Sequence, residues 1–453
     1  MTIVEKKYRV LYLILLLIIL ISVYIFHLNY QFFFLILVFP IIVFYLPVIL
    51  FDSKKLIFAI LFFLIVFPQT YWYTDYVFVN LYSSFVILCI LLIHSLKGVR
   101  IDNSFFLIFL LFLVVILINA SRGIYRNYDK IFILYETIKY LFYPIAFYFF
   151  LTVFKEKNDL RIIKRVFEYC IFFTAIASFE IIMIYLFITK GGRVLTRFGN
   201  VILIGLIISL SFIRIKNISP LKRIFFYFSI ILMSIGILLT MQRSLWIATA
   251  ISITVFYLLD LISRKVDLKE SLLRLFILGL LLFSVFFVFN KISLDTDALM
   301  ERTEKMQQGE MDSSLAIRIY TFVKVLDITK HNVIWGKGLG ASAHFPLLTK
   351  KLKNLVDNSY VTLFWKMGII GVALFLYLFF NVLWKLLYVI KTTKDKIINS
   401  ISIVIFSVIV GQMVNSLACV VLTQYHYNFI WALFIAITEL FYKWTVRNEE
   451  IGN

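Results

Sequence analysis

The chain has 453 residues, is 62% hydrophobic and 15% charged, and carries a net charge of +20. A soluble protein of this length cannot hide that much apolar surface in a core, whereas a bilayer solvates it. The basic residues are scattered through short segments between apolar runs, which excludes a nucleic-acid-binding face and fits helix orientation by the positive-inside rule.

In chain order, Lys6, Lys7 and Arg9 precede the first apolar run. No small-residue cleavage site follows them, so this run reads as an uncleaved first span. A helix needs roughly 20 apolar residues to cross the hydrocarbon core. Runs near that length recur at 8–26, 31–51, 56–69, 77–96, 104–120, 131–153, 166–189, 201–215, 224–240, 245–262, 272–289, 359–390, 397–421 and 427–444. Those at 56–69 and 201–215 are short. That at 359–390 is long enough to tilt or to extend past the bilayer. The expected fold is all-α: a polytopic integral membrane protein with about fourteen transmembrane helices, one transmembrane domain over 1–453. One large extracytoplasmic loop is expected at 290–358.

The connecting charges orient these spans. Lys6–Arg9, Lys54–Lys55, Lys97–Arg100, Lys155–Arg165, Arg214–Arg223, Arg264–Lys269, Lys391–Lys396 and Lys443–Arg447 fall on one side by alternation, and every one is basic. That side is the cytoplasm, and both termini lie there. The opposite side receives His27–Gln31, Pro68–Tyr76, Ser121–Lys130, Lys190–Asn200, the tight turn Met241–Ser244, the loop 290–358 and the turn Leu422–His426. Arg193, Arg197, Arg243 and Arg318 stand there against the orientation rule. An anionic ligand is the obvious explanation. Cys89, Cys170 and Cys419 lie in apolar runs without CxxC spacing, so neither a disulfide framework nor a metal site is expected.

The loop is too long for a simple connector. Its first part, Asp295–Ser314, is polar and acidic. An amphipathic helix follows, with Ile317, Tyr320, Phe322, Val323, Leu326 and Ile328 among polar neighbours. Gly336–Gly340 reads as a turn, and Phe345–Val356 as a second short helix. Such a loop is suited to lie over an intramembrane cavity as a lid.

Three stretches carry a resemblance. Arg318-Ile-Tyr, Val333-Ile-Trp-Gly-Lys-Gly-Leu-Gly340, Val356-Asp-Asn-Ser-Tyr360 and Lys366-Met-Gly-Ile-Ile-Gly371 follow one another in the loop and the next span. Gln242-Arg-Ser-Leu-Trp246 opens a span, and Arg193 precedes Arg197-Phe-Gly-Asn200. Together, over roughly 190–372, this pattern resembles the O-antigen ligase and Wzy polymerase superfamily. The resemblance implies metal-independent, inverting glycan transfer, without a cofactor, at the outer face of a bacterial cytoplasmic membrane. The donor is a glycan on a polyprenyl diphosphate carrier, and a chain-length regulator is a further expected partner beside membrane lipids. Many ligases of the family carry His immediately before the Asn of this motif. Here the position is Asp357, which favours a polymerase extending a lipid-linked repeat unit. The alternatives are an O-antigen ligase acting on lipid A-core and, from a different class, a flippase for lipid-linked glycans.

The chemistry agrees. Breaking a bond to a lipid diphosphate releases a polyanion, which guanidinium groups bind bidentately. Arg243 and Arg318 are the first candidates for that role, with Arg193 and Arg197 second. The acceptor hydroxyl needs a base. Asp357 is assigned to it, and His344 is the other nearby titratable group. The bland alternatives are a lipid anchor for Arg243, Arg193 and Arg197, a solvated helix face for Arg318, an N-cap for Asp357 and a surface position for His344. Within the spans, Glu136 and Lys139 lie three apart and are expected to pair. Glu180 reads as a cavity residue, and Gln412, Asn415, Tyr425 and His426 either line a cavity or join helices by hydrogen bonds.

Overall fold

The computed structural model describes residues 53–66, 87–95, 105–188, 199–215, 218–264, 313–345, 352–353 and 356–452. Every long element among them is an α-helix. The order is α1 (Ser53–Val66), α2 (Phe106–Tyr125), α3 (Lys130–Val153), α4 (Leu160–Met183), α5 (Gly199–Ile213), α6 (Pro220–Leu239), α7 (Arg243–Arg264) and α8 (Ser313–Thr329). After two short strands, β1 (Ala343–His344) and β2 (Leu352–Lys353), come α9 (Ser359–Thr392), α10 (Lys396–Asn415) and α11 (Tyr425–Gly452).

Seven of these helices are long and apolar enough to cross a bilayer: α2, α4, α6, α7, α9, α10 and α11. About fourteen were expected for the whole chain, and those at 8–26, 31–51 and 272–289 lie outside the described residues. Three further helices among the described residues sit in the same bundle but fall short. α1 has only 14 residues. α5 has only 15 residues. α3 is 24 residues long but carries the buried Glu136 and Lys139 in its first half.

The bundle is layered around its last two helices. α10 packs along α7 and α5, and α11 packs along α3 and α9. α2 completes this half against α3 and α9, while α4 joins α1, α5 and α6. The interior is aromatic: Phe150 meets Phe429, Tyr143 meets Phe375 edge-on, and Phe379 meets Trp431. Outward faces stay apolar as well. Leu107, Leu110, Leu111, Val114 and Leu117 of α2 are exposed, as a face solvated by lipid would be.

Contacts sort the connecting segments into two ends. At one end Lys54 pairs with Asp159 at 3.0 Å, Lys222 with Glu168 at 3.0 Å, and Arg214 with Asp260. Among the described residues this end therefore brings together Lys54, the 155–168 segment, Arg214 to Lys222 and the end of α7, while Lys6–Arg9 and Lys97–Arg100 lie outside the described residues. The opposite end gathers 121–130, Asn200, 241–244, 330–345, 356–360 and 416–424 through the hydrogen bonds described below.

Two local expectations need correction. Leu352–Lys353 is not helical: it pairs antiparallel with Ala343–His344, with Ala343 opposite Lys353 and His344 opposite Leu352. The run at 359–390 is not one straight span. Gly368 has φ 67° and ψ −165°, so α9 is two helices joined at a break. The first joins the loop core through Val361 and Trp365 and the bundle core through Leu363 and Met367, and the second continues through the bundle.

Candidate active site at the loop end of the bundle

The break at Gly368 is where the loop is fastened. In an unbroken helix the carbonyls of Trp365 and Lys366 would accept from the N–H groups of residues 369 and 370. Here Lys337 N donates to Trp365 O at 2.8 Å and Gly338 N to Lys366 O at 2.9 Å. In exchange, Ile369 N donates to Val333 O at 2.9 Å and Ile370 N to Ile334 O at 3.4 Å. The loop thus takes over bonds that the helix gives up, so the N–H groups of 369 and 370 and the carbonyls of 365 and 366 all stay paired. The approach needs glycine on both sides. Gly336 has φ 70°, and a Cβ there would meet Gly368 N at 2.5 Å and Lys366 C at 2.6 Å. At Gly368 a Cβ would strike the Ile334 carbonyl.

Side chains from α2 and α3 hold the same turn. Arg122 donates to Asn332 Oδ1 and to Gly336 O, both at 3.0 Å. Arg126 donates to Asn332 Oδ1 at 2.6 Å and to Lys337 O at 2.8 Å. Burial, and then the Arg126 guanidinium, hold the Lys337 ammonium below its ordinary pKa. Glu136 accepts from Gly340 N at 2.7 Å and pairs with Lys366 at 2.8 Å. Lys366 also donates to the Ala341 carbonyl. The expected Glu136–Lys139 partnership is therefore overturned. Glu136 turns to a lysine of the facing helix, because that pairing also satisfies loop backbone in a dry interior. Lys139 lies over the Tyr140 ring, 4.6 Å from its centroid.

Around this lock the loop has a small core of its own. Val325, Ala341, Ala343, Phe345, Val356, Val361 and Trp365 are buried together, with Phe345 edge-on to Trp365 at 6.0 Å. Fully burying side chains of this size stabilises by about 1.5–3 kcal/mol each, enough to hold the described part of the loop on the first half of α9.

Asp357, Arg318 and His344 lie on segments that contribute to this core, whereas Arg243 lies on a neighbouring segment. Asp357 is exposed in the turn before α9 and does not cap it. Asn358 does, accepting from Val361 N at 3.0 Å while its amide donates to Leu417 O at 2.7 Å. Asn358→Ala is expected to lower stability by about 1 kcal/mol, measured as a shift of the melting temperature in detergent, with Asn358→Asp recovering little because a carboxylate cannot donate to Leu417 O. Next to it, Ser359 N donates to Ser416 O and Ser359 Oγ to Cys419 O. On the far side of the same turn, Ser244 Oγ lies 3.5 Å from Cys419 Sγ. Its neighbour Arg243 is exposed at the start of α7, where the helix end adds partial positive charge. The 416–422 turn thus joins the Arg243 and Asp357 segments. Arg318 is exposed on α8, two residues before Tyr320, which packs on the loop core. His344 is exposed on β1. Arg193 and Arg197 lie outside the described residues. Asn200, which follows them, is buried, and it accepts from Gln412 Nε2 at 3.0 Å and from Asn415 Nδ2. Gln412 and Asn415 therefore join helices. Tyr425 and His426 open α11. Glu180 Oε2 is buried without a hydrogen-bond partner among the described residues.

Residues 228–376 match the family model described as O-antigen ligase. This chain thus carries a domain of the O-antigen ligase and Wzy superfamily. The matched stretch contains Arg243, Arg318, His344 and Asp357 as well as the loop and Lys366 side of the lock, whereas Arg122, Arg126, Glu136, Arg193 and Arg197 precede it. A search of the curated proteins returns no match. Sequence reasoning passed over Arg122 and Arg126, although the rule that singled out Arg193 applies equally to arginines in Ser121–Lys130.

Proposed function

We propose that this O-antigen ligase-type domain is a glycan polymerase of the cytoplasmic membrane. It moves a glycan from polyprenyl diphosphate onto a lipid-linked repeat unit at the outer face. The observation that carries this reading is the placement of exposed Arg243 and exposed Asp357 on segments bound to one turn, beside the helix bearing Arg318.

In the proposed reaction the acceptor hydroxyl oxygen attacks the anomeric carbon from the face opposite the diphosphate, so configuration inverts. The bond from that carbon to the diphosphate oxygen breaks as the new glycosidic bond forms. The hydroxyl proton passes to the Asp357 carboxylate. The polyprenyl diphosphate leaves with the bonding electrons, and Arg243 and Arg318 bind its growing charge bidentately. Arg193 and Arg197 are proposed to hold the same diphosphate from the segment before Asn200, and His344 is the alternative proton acceptor. A chain-length regulator is a proposed partner.

Purified protein given a polyprenyl-diphosphate repeat unit is expected to yield a ladder of longer lipid-linked glycans. Single additions to a different acceptor would instead establish the ligase reading. Because Asn358 already caps α9, Asp357 can be tested for chemistry alone. Asp357→Asn is expected to cut turnover by about 10²–10⁴-fold with an unchanged melting temperature, and full activity of that variant would remove Asp357 as the base.

A further inference from the structure

We infer that α8 lies in the membrane interface, with one face sunk into the acyl chains of the leaflet on the loop side of the bundle. The helix has three faces rather than two. Thr321 and Val325 are buried, with Tyr320 and Ile328 partly so, and this face packs on the loop core and on α9. Ile319, Phe322, Val323 and Leu326 recur at helical spacing on another side and remain between 41% and 56% exposed. Asp327 and Lys330 pair at 2.9 Å on the third, with Lys324 near them by helical spacing.

A protein that turned the second face to water would expose four large apolar groups in one stripe, which soluble surfaces avoid. Its surroundings identify the occupant. The chain leaves α8 through Val333 and Ile334, which are 42% and 57% exposed. Their carbonyls accept from Ile369 and Ile370, the first residues of the spanning half of α9. Ile369 is itself 55% exposed. The apolar stripe of α8 therefore runs on into a face that lipid already solvates. Arg318, Lys330 and His331 are exposed on the same helix and its end, and they suit anionic headgroups.

One consequence rests on the function proposed above. Arg318 is seven residues before buried Val325 and four before exposed Phe322, so it stands on the border of the protein face and the lipid face. A diphosphate carried on a lipid and travelling along the leaflet meets Arg318 at that seam.

The test needs no turnover, so its failure is separate from failure of the proposed reaction. Single cysteines at Ile319, Phe322, Val323, Leu326 and Asp327 are spin-labelled in the full chain with Cys89, Cys170 and Cys419 replaced by Ser, in phosphatidylglycerol-containing liposomes. Collision with dissolved oxygen is expected to exceed collision with a water-soluble nickel chelate severalfold at the first four positions, and the order is expected to reverse at Asp327. In the chain with its native cysteines, a photoreactive benzoylphenylalanine at Phe322 is expected to give phospholipid adducts, and one at Asp327 none. Water accessibility at all five positions, shielding that includes Asp327, or protein adducts in place of lipid adducts at Phe322 would overturn the assignment.

Discussion

Lys366→Ala is expected to release the loop from the bundle and to lower stability by about 3–5 kcal/mol, because it strands the Glu136 carboxylate in a dry interior. Lys366 and Glu136 have side chains that are 0% and 1% exposed. Water cannot replace the lost partner without opening the lock. The carboxylate also accepts the Gly340 N–H, and the ammonium also donates to Ala341 O, so one substitution disturbs both sides of the turn. Glu136→Gln is expected to fail in the same direction by a smaller amount, since an amide still accepts from Gly340 but leaves the ammonium uncompensated. The double variant Glu136→Gln with Lys366→Met is expected to melt higher than Lys366→Ala, as it removes both charges. Thermal unfolding in detergent gives all three values. Unchanged melting of Lys366→Ala would mean that the pair does not fasten the loop.

The second large effect concerns chemistry rather than folding. Arg243→Ala and Arg318→Ala are each expected to cut glycan transfer by about 10²–10³-fold, the range seen when one donor to a developing anion is removed. Both residues are exposed, so protein abundance and melting are expected to change little. Arg→Lys is expected to restore only a minor part, because an ammonium cannot make the two parallel bonds of a guanidinium. Polymer assays on membranes with matched protein levels decide this. Near-normal polymer from either Ala variant would take that residue out of the mechanism. By contrast, Arg122 and Arg126 spend several donors on loop carbonyls and Asn332, so their loss is expected to appear first as instability.

Several candidates for the site could be named from the chain. Arginine on the disfavoured side of the charge pattern is a physical oddity visible without coordinates, and it pointed to Arg243 and Arg318. The glycines of 336–340 announced a turn, and Asp357-Asn358 a helix start. The N-cap reading of Asp357 was one residue off, since Asn358 caps the helix. Both types accept from a backbone N–H equally well. The choice went to Asn358 because its amide also donates to Leu417, a residue far along the chain.

The sequence by itself determined an all-α membrane architecture and grouped its basic segments at one end. Both follow from local quantities: the length of apolar runs and the charge between them. Only the tertiary structure decided that Glu136 pairs with Lys366 rather than with Lys139, and that α9 breaks at Gly368 to trade backbone bonds with 333–338. It also decided that Arg122 and Arg126 serve the loop. Each of these is a bond between residues distant in sequence. In a dry interior such groups must be paired somewhere, and the chain alone does not say where.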